Sequence, residues 1–371
     1  MNIPAIDIDS FLYIVGILVI FKCVGLVSEP GNTLSDNPNR RRSWIWPLIL
    51  TILLALWMGD RPPIGRYGDT VNYQRIYNNI MSTNSVAEIV VNISSEWLWQ
   101  ALMIISTRLG FEFPAFLFIV ALLYVGTATW AMKIFCPSSP YIGFLFVVSS
   151  LFFYAFGING IRNGLACHIV LLAMANLFED RRVIAGILAF LALGIHRSTM
   201  LPIAGCIAAV TVMKNPLWAL YVWGASIVVS LIAGNTVMNL LSGIGFDDRL
   251  EAYATGFGMA EEFSKVGFRW DFLLFSTPPI FLWWWLTFKK HVRDGWFNAL
   301  STTYMLANAF WVLMIRAEFT NRIAYLSWFM FPVLFAYPLC NMKLSDSQNR
   351  FAAITLAGYY FVSFFMLMFI L

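Results

Sequence analysis

Apolar residues run in blocks of roughly 18 to 22 along most of this chain, the length that crosses a bilayer core of about 30 Å. Charged and polar residues collect in short connections between the blocks. The pattern predicts helical spans at 10–27, 44–59, 114–135, 141–158, 162–178, 183–196, 199–213, 216–234, 271–288, 296–315, 322–340 and 351–371. Residues 97–109 are apolar but too short to cross comfortably, and read as a re-entrant or interfacial helix. Segments of about ten alternating residues, the mark of a membrane β-barrel, are absent. The expected fold is an all-α polytopic membrane protein of about twelve spans. It forms a single transmembrane domain over residues 1–371, with external loops at 60–113 and 235–270 that carry short helices lying on the membrane.

Charge placement orients the chain. The connections holding Arg40-Arg41-Arg42, Lys133, Arg181-Arg182, Lys214, Lys289-Lys290-Arg293, and Lys343 with Arg350 all fall on one side if twelve spans are drawn. The positive-inside rule makes that side cytoplasmic. A single long helix over 183–213 would throw Lys289, Lys290 and Lys343 outside, so two short helices are expected there. Asp7 and Asp9 precede the first apolar run, where a secretory signal would be basic, and Lys22 follows most of it. The first span is therefore expected to be retained, with both termini outside.

Composition adds little beyond this. The chain is 60% hydrophobic and 12% charged, against about 25% charged in soluble domains, so any chemistry is expected at the membrane. A net charge of +4 is too small to suggest nucleic acid. Cys23, Cys136, Cys167, Cys206 and Cys340 make no Cys-x-x-Cys pair, and suggest neither metal nor disulfide.

The two basic residue types segregate. Of seven lysines only Lys265 falls outside, whereas ten of seventeen arginines do: Arg61, Arg66, Arg75, Arg108, Arg162, Arg197, Arg249, Arg269, Arg316 and Arg322. Guanidinium is a planar fork suited to bidentate binding of phosphate or carboxylate, while ammonium is a point charge. An anionic ligand on the outer face explains the bias; snorkelling interfacial arginines are the plainer explanation.

Three polar stretches interrupt the apolar pattern: Arg66-Tyr67-Gly68-Asp69 through Tyr73, Asn159-Gly160-Ile161-Arg162-Asn163, and Ile195-His196-Arg197-Ser198. His196 sits at a turn between two arms of fewer than about 20 residues, too short at 1.5 Å per residue to span the core, so the turn is expected to be recessed. A recessed imidazole suits general acid–base work, and also suits capping or an interface. Arg162 opens its span among Asn159, Gly160, Asn163 and Gly164, where free backbone N–H groups favour an anion. Asp69 pairs with Arg66, acts as a base, or caps the helix from Thr70; Glu96, ahead of Trp97, has the same options. Arg316, Glu318, Asn321 and Arg322 form a tight outer turn in which Glu318 can neutralise an arginine. His168 is expected to be a packed core histidine, and His291, among Lys289, Lys290 and Arg293, a solvated one. H-E-x-x-H, P-loop and G-x-S-x-G motifs are absent.

In order along the chain come Asp69 with Tyr73, the Glu-Trp-Leu-Trp step at Glu96–Trp99, the Arg162 helix start, Arg181-Arg182, His196-Arg197-Ser198, the Asp-Arg-Leu-x-x-Tyr loop at Asp248–Tyr253, and Asn-Arg-Ile-x-Tyr at Asn321–Tyr325. This series resembles the EpsG-like branch of the Wzy O-antigen and capsular polysaccharide polymerases over roughly residues 60 to 330. Arg162-Asn163 stands where that family suggests Arg-Gln. The resemblance implies a GT-C-like glycosyltransferase of the bacterial inner membrane with its active site facing the periplasm, using no metal and no cofactor. A growing glycan would pass from undecaprenyl pyrophosphate to the non-reducing end of an incoming undecaprenyl-pyrophosphate-linked repeat unit. His196, Arg162 and Asp69 would be catalytic. Arg66, Tyr73, Glu96, Arg197, Arg249, Tyr253, Arg316, Arg322 and Tyr325 would bind pyrophosphate or glycan. Implied partners are the lipid-linked oligosaccharides, membrane lipid, a chain-length regulator and a flippase. The alternatives are a flippase or transporter of lipid-linked oligosaccharides, a membrane O-acyltransferase, and a scaffold of an export complex.

Overall fold

A computed structural model describes residues 6–29, 44–83, 96–242 and 267–369. Every described regular element is helical, and helix occupies each stretch where the sequence predicts a span. Six helical segments are long and apolar enough to cross a membrane: Ile8–Ser28, Phe113–Phe135, Ile161–Phe178, Pro216–Leu241, Thr320–Asn341 and Gln348–Met368. The protein is thus a multi-pass helical membrane protein. Shorter apolar helices cover Ile45–Gly59, Arg182–Ile195 and Arg197–Thr211.

The chain forms two compact units, residues 1–196 with 336–371, and residues 197–335. In the first unit the helices are α1 (Ile8–Ser28), α2 (Ile45–Gly59), α3 (Thr70–Ser82), α4 (Trp97–Arg108), α5 (Phe113–Phe135), α6 (Pro140–Val148), α7 (Phe153–Ile158), α8 (Ile161–Phe178) and α9 (Arg182–Ile195). α5 packs against α2 and α8, and α8 against α9. The core between them is rich in aromatic side chains. His168 is buried there, stacked on Tyr124 at 4.1 Å with its Nδ1 2.8 Å from the Tyr124 carbonyl, as expected of a packed histidine. Asp7 and Asp9 form the chain's one Asp-x-Asp, and its role is local. Asp7 caps α1 by accepting from the Ser10 N–H and hydroxyl, the usual use of Asp ahead of a helix.

The ends of these helices are chemically unlike. Lys133 near the end of α5 lies over the rings of Trp44 and Trp130 at 4.6 and 4.7 Å, and the α8–α9 turn carries Arg181 and Arg182. The opposite ends carry the 61–73 loop, Glu96, Arg162 and His196.

The second unit holds α10 (Met200–Thr211), α11 (Pro216–Ser242), α12 (Trp270–Ser276), α13 (Pro278–Trp284), a π turn at Trp285–Lys289, α14 (Gly295–Leu313) and α15 (Thr320–Trp328). α14 packs against α10 and α11. Fully buried Asn308 ties its elements together: its side chain accepts from Trp223 Nε1 and donates to Ser276 and Ser327. Lipid offers a polar group no partner, so such groups are satisfied inside. α16 (Phe331–Asn341) and α17 (Gln348–Phe369) complete the chain, with α17 packed on α1.

The structure departs from the expected spans in detail. The 141–158 span breaks at 149–152 into α6 and α7; 271–288 breaks ahead of Pro278, which cannot donate in a continuing helix; 322–340 breaks at 329–330. α11 runs past the expected end at 234 to Ser242, kinked at Ala233. The 183–213 stretch is divided at His196.

Candidate functional site

Four chain segments meet at the polar end of the first unit. Each is delivered by a local feature of the sequence. The loop after α2 closes through a 3₁₀ turn at Gly65–Tyr67, then reverses at Gly68 with φ 52° and ψ −116°, a conformation only glycine adopts without strain. A Cβ there would fall 2.5 Å from Asn159 Oδ1. The close approach lets Asn159 Oδ1 accept from the Asp69 N–H at 2.8 Å, clasping the loop to the break between α7 and α8. Asp69 occupies the N-cap position of α3, but its side chain makes no capping bond.

The break at Asn159-Gly160 starts α8, and Arg162 lies in its first turn. A cation there is unfavourably placed against the helix dipole. Glu96 offsets it: the Arg162 Nη1 donates to Glu96 Oε2. Glu96 precedes α4 and likewise makes no capping bond. Its other oxygen, Oε1, lies 2.6 Å from His196 Nδ1. His196 ends α9 in extended backbone (φ −151°), which turns its ring off the helix. Gly194 makes the pairing possible, because a Cβ there would meet the Trp97 ring at 2.7 Å and push the start of α4 away.

A carboxylate that accepts from the Nδ1–H of a histidine leaves the Nε2 lone pair to face a substrate. Glu96 and His196 are both buried, and the Arg162 side chain is 24% exposed, enough to meet a ligand. Arg162 also donates through Nε to the Tyr73 hydroxyl at 3.1 Å and lies over its ring at 5.4 Å. Tyr73 is held edge-on by Trp99 at 5.5 Å. Among the described residues nothing accepts a hydrogen bond from Arg162 Nη2, which leaves one edge of the fork for an anion.

Tyr73, Arg162, Glu96 and His196 are therefore linked one to the next, the partners in each contact standing 66 to 100 positions apart. Asp69 adjoins them through Asn159 and acts electrostatically on Arg162. Arg66 contributes its backbone to the 3₁₀ turn. Arg197, Arg316, Arg322 and Tyr325 belong to the second unit. There Arg316 lies 5.5 Å from the Phe268 ring centre, Arg322 lies over Phe319, and Tyr325 is buried. Arg249 and Tyr253 lie outside the described residues.

Sequence reasoning counted Arg61 among the outer arginines without singling it out. It is 2% exposed, donates to the Met58 carbonyl at 2.5 Å and to Thr70 Oγ1 at 3.3 Å, and leaves its Nη2 without a partner. Burial pushes its guanidinium down to about 10, so it stays cationic at neutral pH. The available signal was an Asp60-Arg61 step closing an apolar span, followed by Pro62-Pro63.

The described residues contain no group of three or more metal-ligating side chains. No curated protein and no solved structure matches the chain. Residues 44–371 match the EpsG family, from the start of α2 onward. A match over this share of the sequence, with the helical multi-pass fold, is decisive: the chain belongs to the EpsG family.

Proposed function

We propose that this protein is a polysaccharide polymerase, a glycosyltransferase that joins lipid-pyrophosphate-linked repeat units at the outer face of the bacterial inner membrane. Family membership supports glycosyl transfer, and the cluster around Glu96 supports the chemistry. One carboxylate shared by an arginine and a histidine carries the proposal, since it prepares a base and an anion clamp side by side.

In this scheme His196 Nε2 takes the proton of the acceptor hydroxyl, while Glu96 holds the ring and stabilises the imidazolium that forms. The acceptor oxygen bonds to the anomeric carbon of the growing chain. The bond from that carbon to the pyrophosphate oxygen breaks, and the electron pair leaves with the prenyl pyrophosphate. Arg162 meets the charge that develops on the leaving group. Tyr73 holds the guanidinium plane, and Asp69 is placed to orient the acceptor. The leaving group supplies the driving force, so the scheme calls for neither nucleotide nor metal.

The segregation of lysine from arginine and the placement of the basic connections support an outward-facing site with both termini outside, and a helix on each expected stretch is the support for twelve crossings. Deleting the gene in its host tests the proposal. Surface glycans separated on a gel are expected to stop at single repeat units; an unchanged ladder of long chains contradicts it.

A further inference from the structure

Arg61 lies beneath the cluster around Glu96 rather than in it. At 2% exposed it meets no ligand, and its guanidinium points to work inside the protein. Nη1 donates to the Met58 carbonyl at the end of α2, and Nε donates at 3.3 Å to Oγ1 of Thr70, the first residue of α3. Thr70 is fully buried, and its hydroxyl donates in turn at 3.2 Å to the carbonyl of Ile158, the last residue of α7. One arginine thereby ties the end of α2 to the start of α3 and, through Thr70, to the end of α7.

These elements deliver the site. Tyr73 lies in the first turn of α3, and Arg162 follows Ile158 across the Asn159-Gly160 break. The 3.1 Å bond between Arg162 Nε and the Tyr73 hydroxyl therefore depends on how α3 is set against that break. Two contacts set it: the clasp of Asp69 on Asn159, and the buried chain Arg61–Thr70–Ile158. The end of α2 gives that chain a firm footing. A Cβ on Gly59 would fall 2.7 Å from the Phe118 Cα, and one on Gly157, next to Ile158, 3.0 Å from the Met58 Cε.

Stability alone does not account for an arginine at this position. Burial opposes its charge, and the side chains that support the charge are the phenols of Tyr154, Tyr67 and Tyr73, none an anion at neutral pH. Its two hydrogen bonds go to neutral oxygens, and its Nη2 has no partner. A buried cation in this state costs more than an apolar side chain of similar volume. What guanidinium offers is a rigid plane that aims Nε and Nη1 in fixed directions, so a single side chain sets the angle between two acceptors.

We propose that Arg61 is a positioning residue for the transfer reaction: acting through Thr70 and Ile158, it sets α3 against the α7–α8 break and so fixes Tyr73 where it holds the Arg162 guanidinium. The link to transfer rests on the polymerase function proposed above; the link to Tyr73 does not.

The test uses purified full-length protein with a fluorinated tyrosine installed at position 73. Its fluorine NMR resonance reads the Tyr73–Arg162 contact, and Arg162→Met marks where the resonance lies when the contact is lost. Chain extension from a polyprenyl-pyrophosphate-linked repeat unit and the melting temperature are measured on the same samples. Arg61→Met keeps the length of the side chain and removes its donors and charge. It is expected to move the resonance toward the Arg162→Met position and to lower kcat by about 10- to 100-fold with KM little changed, the loss for a clamp displaced by about 1 Å. It is expected to melt no lower than the parent, since a buried charge is gone. Arg61→Lys restores the charge but not the paired directions, and should stay closer to Arg61→Met than to the parent in both resonance and kcat. Thr70→Val breaks the same chain one bond later, so its loss should match that of Arg61→Met and the double variant should lose no more than either. If Arg61→Met fails to fold, the resonance and kcat of Thr70→Val decide. A resonance indifferent to Arg61→Met and Thr70→Val, losses that add, or a fall in kcat that tracks a fall in melting temperature and returns with lysine overturns the proposal. A parent protein that extends no chains rejects the polymerase, while the resonance still judges Arg61. Chain extension by the parent with a resonance that ignores both variants rejects Arg61 alone.

Discussion

Replacing His196 with alanine leaves the protein inserted in the membrane and lowers chain extension by about 10²–10⁴-fold, the usual contribution of a positioned general base. The expectation follows from the tautomer. Glu96, bridged to Arg162, is placed to accept from the Nδ1–H, which leaves the lone pair on Nε2. Neither Tyr73, a phenol, nor Arg162, always charged, can take that proton at neutral pH. Folding should survive, because residue 196 closes the end of α9 through its backbone N–H, which donates to the Ala192 carbonyl at 2.9 Å whatever the side chain. The check is the glycan ladder of a strain carrying His196→Ala, read beside the amount of protein in the membrane. Normal ladders at normal protein levels remove His196 from the chemistry.

Replacing Glu96 with alanine is expected to do more damage than either partner change. It leaves Arg162 in the first turn of α8, where the helix dipole is unfavourable, and takes from His196 the group that holds its ring. Removing one partner of a buried ion pair costs about 3–5 kcal/mol. Glu96→Ala should therefore lower the melting temperature of the purified protein as well as abolish chain extension. Glu96→Gln keeps the shape and one acceptor oxygen for Arg162 but not the charge, and sets its NH2 against the His196 Nδ1–H, so it should recover stability before activity. The double change Glu96→Ala with Arg162→Met removes both charges, and should be more stable than Glu96→Ala alone while remaining inactive. A double variant whose losses simply add would mean that the two side chains are not coupled.

The elements of this fold were largely legible because lipid demands long apolar blocks, and a helix stands on each. The division at His196 was legible too, since one long helix would have put basic residues on the wrong side. The internal breaks were not. Nothing polar marks Phe329-Met330, and the serines at 149–150 are unremarkable in a membrane helix. Only Pro278-Pro279 announces its break.

The site was half visible. Polar residues beside spans flagged Tyr73, Arg162 and His196, but the pairing that makes them a site joins residues 66 and 100 positions apart, through Glu96. Local sequence leaves that glutamate to pair with an arginine, act as a base or cap its helix, and only the tertiary contacts select the pair. Arg61 escaped for the opposite reason. An arginine at the end of a span looks like an interfacial anchor, and only its burial and its partnerless Nη2 set it apart.

The chemistry is tested most directly by placing the purified protein in liposomes with a synthetic polyprenyl-pyrophosphate-linked repeat unit and counting released carrier against glycosidic bonds formed. One polyprenyl pyrophosphate freed per new bond, with chelator present and nucleotide absent, is the expected result. Lengthening chains without release of the carrier, or no lengthening until a nucleotide sugar is added, would contradict it.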